Sequence, residues 1–104
     1  MNDLDTVILK AIDVWYHSPG DEAAFFDWLG KIRAVHSVGG QLRTLDIAVK
    51  TPVDDDSLRE ILALFRRYDI EMAQLRKLDN AQVSEWFHDP QKYWHEPVFG
   101  RVDS

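Results

Sequence analysis

The chain has 104 residues, close to the commonest size for one domain, and reads as a single domain over 1–104. It carries 18 Asp and Glu against 12 Lys and Arg, a formal net charge of -6, and no Cys. This composition excludes a disulfide framework, a cysteine zinc site and a thiol nucleophile, and it disfavours bulk nucleic-acid binding. Apolar residues make up 45%, enough to fill a core.

The longest apolar run near the start, Val7-Ile8-Leu9, is broken by Lys10. A membrane span needs roughly 20 apolar residues, so none is expected. The start Met1-Asn2-Asp3-Leu4-Asp5 is acidic where a signal peptide is basic. Together with the lack of Cys, this predicts a cytoplasmic protein. The charge is uneven. Residues 1–30 hold six acids and one base, whereas residues 31–50 hold four bases (Lys31, Arg33, Arg43, Lys50) and one acid (Asp46).

In chain order, Leu4, Val7, Ile8, Ala11, Ile12 and Trp15 recur at helical spacing, which predicts a helix over 4–16. A strand is the alternative, with Ile8, Ile12, Val14 and Tyr16 on one face and Lys10 interrupting it. Ser18-Pro19 opens a second helix, with Ser18 as cap and Asp21 three residues on. Its apolar stripe is Phe25, Trp28, Leu29 and Ile32. Residues 33–50 read as a hairpin turning at Gly39-Gly40, with Leu45, Ile47 and Val49 alternating in the clearest strand.

Asp54-Asp55-Asp56-Ser57 opens the clearest helix. Ser57 and Glu60 have capping-box spacing, and any of the three aspartates is an equal candidate for the cap. Leu58, Ile61, Leu62 and Phe65 form the buried stripe. Residues 70–78 are assigned to a third strand, because two strands alone are marginal. Asn80 caps a short helix through Trp86 and Phe87 that ends before Pro90, and the tail beyond is expected to be irregular. The fold class is α+β, with helices on one face of a small antiparallel sheet. If 6–16 were a strand, the order would be βαββαβ and the sheet ferredoxin-like.

The chemistry-bearing residues form no catalytic or metal motif. The aspartate run lacks the alternating ligands and distal Glu of a calcium loop. His88, Asp89, His95 and Glu96 lack metal-ligand spacing, and no Ser lies in a nucleophile elbow. No cofactor, metal or enzymatic activity is therefore expected. The C-terminal stretch is the most unusual, with five of the twelve aromatic residues between Trp86 and Phe99. They read first as a clasp sealing the core and second as a partner surface.

Trp86-Phe87, Asp89-Pro90, Tyr93-Trp94 and Val98-Phe99-Gly100 resemble the tail of a family of small bacterial proteins. Asp21 to Leu29 and Leu58 to Tyr68 carry the same likeness, so it covers most of the chain. These proteins are similar to immunity proteins of contact-dependent inhibition and related polymorphic toxin systems. The resemblance implies a toxin-neutralising binding protein, its partner a cognate toxin domain such as a nuclease with a basic cleft. An acidic protein can steer toward such a cleft, and aromatic anchors can slow its release. The candidate contact residues are Asp21, Glu22, Asp27, Asp54, Asp55, Asp56 and Glu60, with Trp86, Tyr93 and Trp94 as anchors. The competing readings are a structural module that dimerises through the aromatic tail, and a small enzyme or nucleic-acid binder using the basic hairpin with Arg66 and Arg67.

Overall fold

The computed structural model describes residues 5–100. Their order is β1 (Thr6–Ile12), α1 (Pro19–Lys31), β2 (Val35–Gln41), β3 (Thr44–Lys50), α2 (Asp55–Arg67), a 3-10 helix (Ala73–Leu78), α3 (Ser84–Phe87) and α4 (His95–Phe99). The strands form one open antiparallel sheet in the order β1-β3-β2. β1 and β2 both run antiparallel to β3, which lies between them. The unit is a split β-α-β with α1 as the crossover. The helices cover one face of the sheet, and the architecture is the expected α+β.

Four local expectations are corrected. Of the helix predicted over 4–16, residues 6–12 are instead β1, residues 13–16 form a loop, and residue 4 lies outside the described residues. The inward residues of β1 are Val7, Leu9 and Ala11, facing Val49, Ile47 and Leu45 of β3. Lys10 does not break this strand, because it points to the open face and pairs with Asp46 at 2.8 Å. The alternation in β1 is therefore period two, and the β-branched Val7, Ile8 and Ile12 suit a pleated surface.

The hairpin exists, but Gly39-Gly40 is not its turn. Both glycines lie within β2, opposite Asp46 and Leu45. The chain turns at Leu42-Arg43, between the paired residues Gln41 and Thr44, with Leu42 at φ 58°. The alternation of β3 fixes the register, and the register places the turn two residues beyond the glycines.

Residues 70–78 are not a strand, so the complete βαββαβ order is not formed. Met72, Leu75 and Leu78 are buried at a spacing of three, the period of the 3-10 helix that holds them. The helix runs along β1 in place of a fourth strand. The Gln74 side chain accepts a bond from the Lys10 amide at 2.7 Å and donates to the Lys10 carbonyl at 2.8 Å. One side-chain amide thus satisfies both backbone groups of Lys10 on the edge that another strand would cover. The expected irregular tail contains the short helix α4.

α1 and α2 follow their sequence signals. Ser18 Oγ accepts from the Asp21 amide at 3.1 Å, and Asp21 returns the bond to the His17 amide at 2.9 Å. Asp54, not Ser57, caps α2, accepting from the Ser57 amide at 3.1 Å. Ser57 is buried and accepts from the Ala34 amide, which ties α2 to the start of β2. Phe25, Leu29 and Ile32 of α1 and Leu58, Ile61, Leu62, Leu64 and Phe65 of α2 close over the sheet in one core. Each large side chain buried there contributes about 1.5–3 kcal/mol before ordering costs. Among the described residues, no helix is long and apolar enough to cross a membrane.

Candidate functional site

The segment from Asp13 to His17 joins β1 to α1 at one end of the sheet. Asp13 takes φ 52°, and its amide bonds to the Arg43 carbonyl at 2.8 Å. Its carboxylate pairs with the Arg43 guanidinium at 2.9 Å. The segment is thereby bound to the β2–β3 turn on one side. On the other, Asp21 binds the His17 amide and receives the Tyr68 hydroxyl at 2.9 Å. These two bonds, first from His17 and then from Tyr68, hold the Asp21 carboxyl below the ordinary range. Burial raises the Tyr16 phenol, with Glu22 adding to the effect.

This scaffold sorts five aromatic rings. Phe25 is buried against Tyr68 at 4.8 Å and Tyr16 at 5.5 Å. Trp15 and Phe26 stay outside, Trp15 with 72% of its surface exposed. Leu42 at the hairpin turn is fully exposed, and Ile12 at the end of β1 is 63% exposed. A cleft of about 540 Å³ opens between these elements, lined by Trp15, Phe26, Leu42, Glu22 and the Asp13–Arg43 pair. Trp15, Phe26 and Leu42 are solvated apolar groups around this one concavity, an arrangement common at binding surfaces, whereas Ile12 lies on the open face of β1 outside its lining. Glu22 has no ion-pair partner among the described residues, so its carboxylate is available to a cation.

The residues singled out from sequence lie in three places. Asp21 and Glu22 are at the cleft end. Asp54, Asp55, Asp56 and Glu60 are at the opposite end of the helical layer. The Asp21–Tyr68 bond joins the start of α1 to the end of α2, while Trp28 near the end of α1 donates to Glu60 near the start of α2 at 2.7 Å. The two helices are therefore antiparallel. A thirteen-residue helix is ~20 Å long, which separates the two acidic groups by about that distance.

The α2 group is not uniformly acidic either, since Lys31 and Arg33 line the same shallow depression as Asp54, Asp56 and Glu60. Asp27 pairs with Lys31 at 3.1 Å. Burial pushes the Asp54 carboxyl up, but the bonds from Ser57 outweigh it and leave it lowered. Asp55 Oδ1 is buried with no protein partner among the described residues. Among those residues, no group of three His, Cys, Asp or Glu side chains is placed to hold a metal ion.

The aromatic tail forms the third place. Trp94 is only 5% exposed, and its Nε1 donates to the Phe87 carbonyl at 2.8 Å. It packs inside the clasp. Trp86 is half-buried, covered by the Arg59 guanidinium 4.0 Å above its ring. Tyr93 is half-exposed, and burial raises its phenol against the opposing charge of Arg66. Of the three proposed anchors, Tyr93 presents the most surface.

Trp15, Phe26 and Leu42 are not among the candidates. The helical reading of 4–16 places Trp15 on its apolar stripe, and the misplaced turn puts Leu42 inside a strand. A leucine between two paired polar residues, two positions beyond Gly-Gly, was the available signal. No family model matches the chain, and no curated protein or solved structure matches it.

Proposed function

We propose that this chain acts by docking onto another protein, and that the partner is a bacterial toxin domain which it neutralises. The observation that carries docking is the cleft. Trp15, Phe26 and Leu42 stand in solvent around one concavity, and large solvated side chains there gain burial only when something covers them. Trp is a frequent energetic anchor in protein interfaces. Glu22, beside them, adds a carboxylate suited to a basic partner. The immunity assignment rests on the sequence resemblance, and an immunity protein needs occupancy of a surface rather than bond-making groups.

The test starts from the reading frame next to this gene. An encoded toxin there supplies a C-terminal domain to mix with the chain. The expected result is a complex at micromolar concentration and protection of growing cells. Trp15→Ser combined with Leu42→Asp should abolish both while leaving the circular dichroism spectrum unchanged. No complex and no protection would reject the toxin assignment. A complex indifferent to this double variant would move the docking surface elsewhere.

A further inference from the structure

The two edges of the sheet are treated differently. β1 is partly covered by the 3-10 helix, with Gln74 bound to both backbone groups of Lys10. β2 is the other edge strand, and no strand or helix of the described residues pairs with its outer side. Proteins usually guard such an edge with lysine, proline, inward charges, a bulge or a covering element, because its unpaired amides and carbonyls accept another strand. β2 reads Val-His-Ser-Val-Gly-Gly-Gln, with no Lys, Arg, Asp, Glu or Pro. A bulge between Val35 and Ser37 disturbs its first residues, leaving Ser37–Gln41 as a regular run. Ser37, Gly39, Gly40 and Gln41 are exposed, and a Cβ at Gly39 would meet open space.

The charges at the ends of this run choose the occupant. Arg33 lies just before β2 and Arg43 just after it. Arg33 has no ion-pair partner among the described residues and influences Asp54 only through space. Arg43 shares the exposed Asp13 carboxylate. A second copy pairing antiparallel along Ser37–Gln41 would bring the Arg33 end of each copy toward the Arg43 end of the other, although neither arginine is in the ladder itself. Like charges brought together at both ends of such a pairing oppose it. A segment with carboxylates at its ends meets both arginines favourably.

We infer that β2 is a docking edge for an extended segment of a partner protein that carries acidic residues at its ends. Backbone hydrogen bonds to the Ser37–Gln41 run supply the attachment, and Arg33 and Arg43 supply register and selectivity. This surface shares Arg43 with the cleft but none of its apolar walls, and Arg33, which lies outside the cleft, lets it be tested separately from the toxin reading.

The test uses the full chain and two synthetic peptides of alternating Thr and Val, one with Glu at both ends and one with Lys. Amide hydrogen exchange and chemical shifts are followed residue by residue. The Glu-ended peptide is expected to slow exchange within Ser37–Gln41 and to leave the Lys10 amide unchanged. Arg33→Glu with Arg43→Glu should weaken that peptide about tenfold and favour the Lys-ended one. Arg33→Glu alone keeps the Asp13 pair intact and should show a smaller loss in the same direction. Trp15→Ser should leave peptide binding unaltered. No protection of β2 at millimolar peptide would overturn the proposal. Equal binding of the two peptides would also overturn it. So would β2 protection that appears with protein concentration alone, which would assign the edge to a second copy.

Discussion

Two groups of aromatic rings occupy different parts of this molecule and meet opposite fates. In the tail, Phe87 is fully buried, Phe99 packs on it at 4.8 Å, and Trp94 closes over Trp86 at 5.6 Å. The helices carrying them have four and five residues, too short to persist alone. They exist because their rings are packed. At the cleft, α1 is long and capped, and it holds its shape without covering every ring. Phe25 goes inward and its neighbour Phe26 outward, while Trp15 sits on a segment that no further element overlies. Clustered aromatics in a sequence therefore point to packing when the local structure depends on them, and to a surface when it does not.

The largest expected effect lies in the tail. Phe87→Ala should cost about 3–5 kcal/mol, the range for deleting a fully buried ring. Urea denaturation followed by fluorescence and circular dichroism measures it. A loss below about 1 kcal/mol would show that the tail is not part of the cooperative core. Trp94→Phe keeps a ring but removes the Nε1 bond to the Phe87 carbonyl. The expected loss is about 1–3 kcal/mol, chiefly from the carbonyl left without its donor.

At the cleft end the expected effect depends on pH. Asp21 is lowered from its ordinary value of 3.8 by the His17 amide and then by the Tyr68 hydroxyl. The folded chain keeps this carboxylate ionised where the unfolded chain protonates it. Its contribution is complete above the ordinary value and is lost as pH falls through the lowered one. Tyr68→Phe removes one of the two bonds and moves the folded pKa back toward the ordinary value. Acid unfolding of Tyr68→Phe should therefore depend less on pH in this window, and an NMR titration of Asp21 should report a higher midpoint. An unmoved midpoint would remove Tyr68 from the anchoring of the Asp13–His17 segment.

The helices α1 and α2 were legible because caps and stripes agree locally: Ser18 before Pro19, and Asp54 before Leu58, Ile61, Leu62 and Phe65. β3 was legible from its alternation alone. β1 was not, since Val7, Ile8, Ala11 and Ile12 satisfy a helical period as well as a strand, and only the unpaired side of β3 decides between them. Residues 70–78 failed for a related reason. A sheet needing a third strand does have one, but β1 supplies it, and Gln74 of the 3-10 helix bonds that strand's edge at Lys10. The acidic candidates were legible as charges and illegible as a surface. Whether Asp21 and Asp54 share a face depends on the antiparallel packing of α1 and α2, which no local pattern encodes.

The smallest stability effect gives the sharpest contrast with Phe87. Trp15 is mostly solvated, its closest ring neighbour is His17 at 6.5 Å, and the backbone around it is held by Asp13, Arg43 and Asp21. Trp15→Ser should therefore change unfolding stability by no more than about 0.5 kcal/mol, although it deletes the larger ring. If the cleft is the docking surface, the same substitution removes a principal anchor, and partner affinity should fall by ten-fold or more. Calorimetry with the partner domain and urea denaturation of the free chain separate the two quantities. A substitution that destabilised the chain as Phe87→Ala does would place Trp15 in the core. An unchanged affinity with an unchanged fold would leave the exposed ring outside the interface.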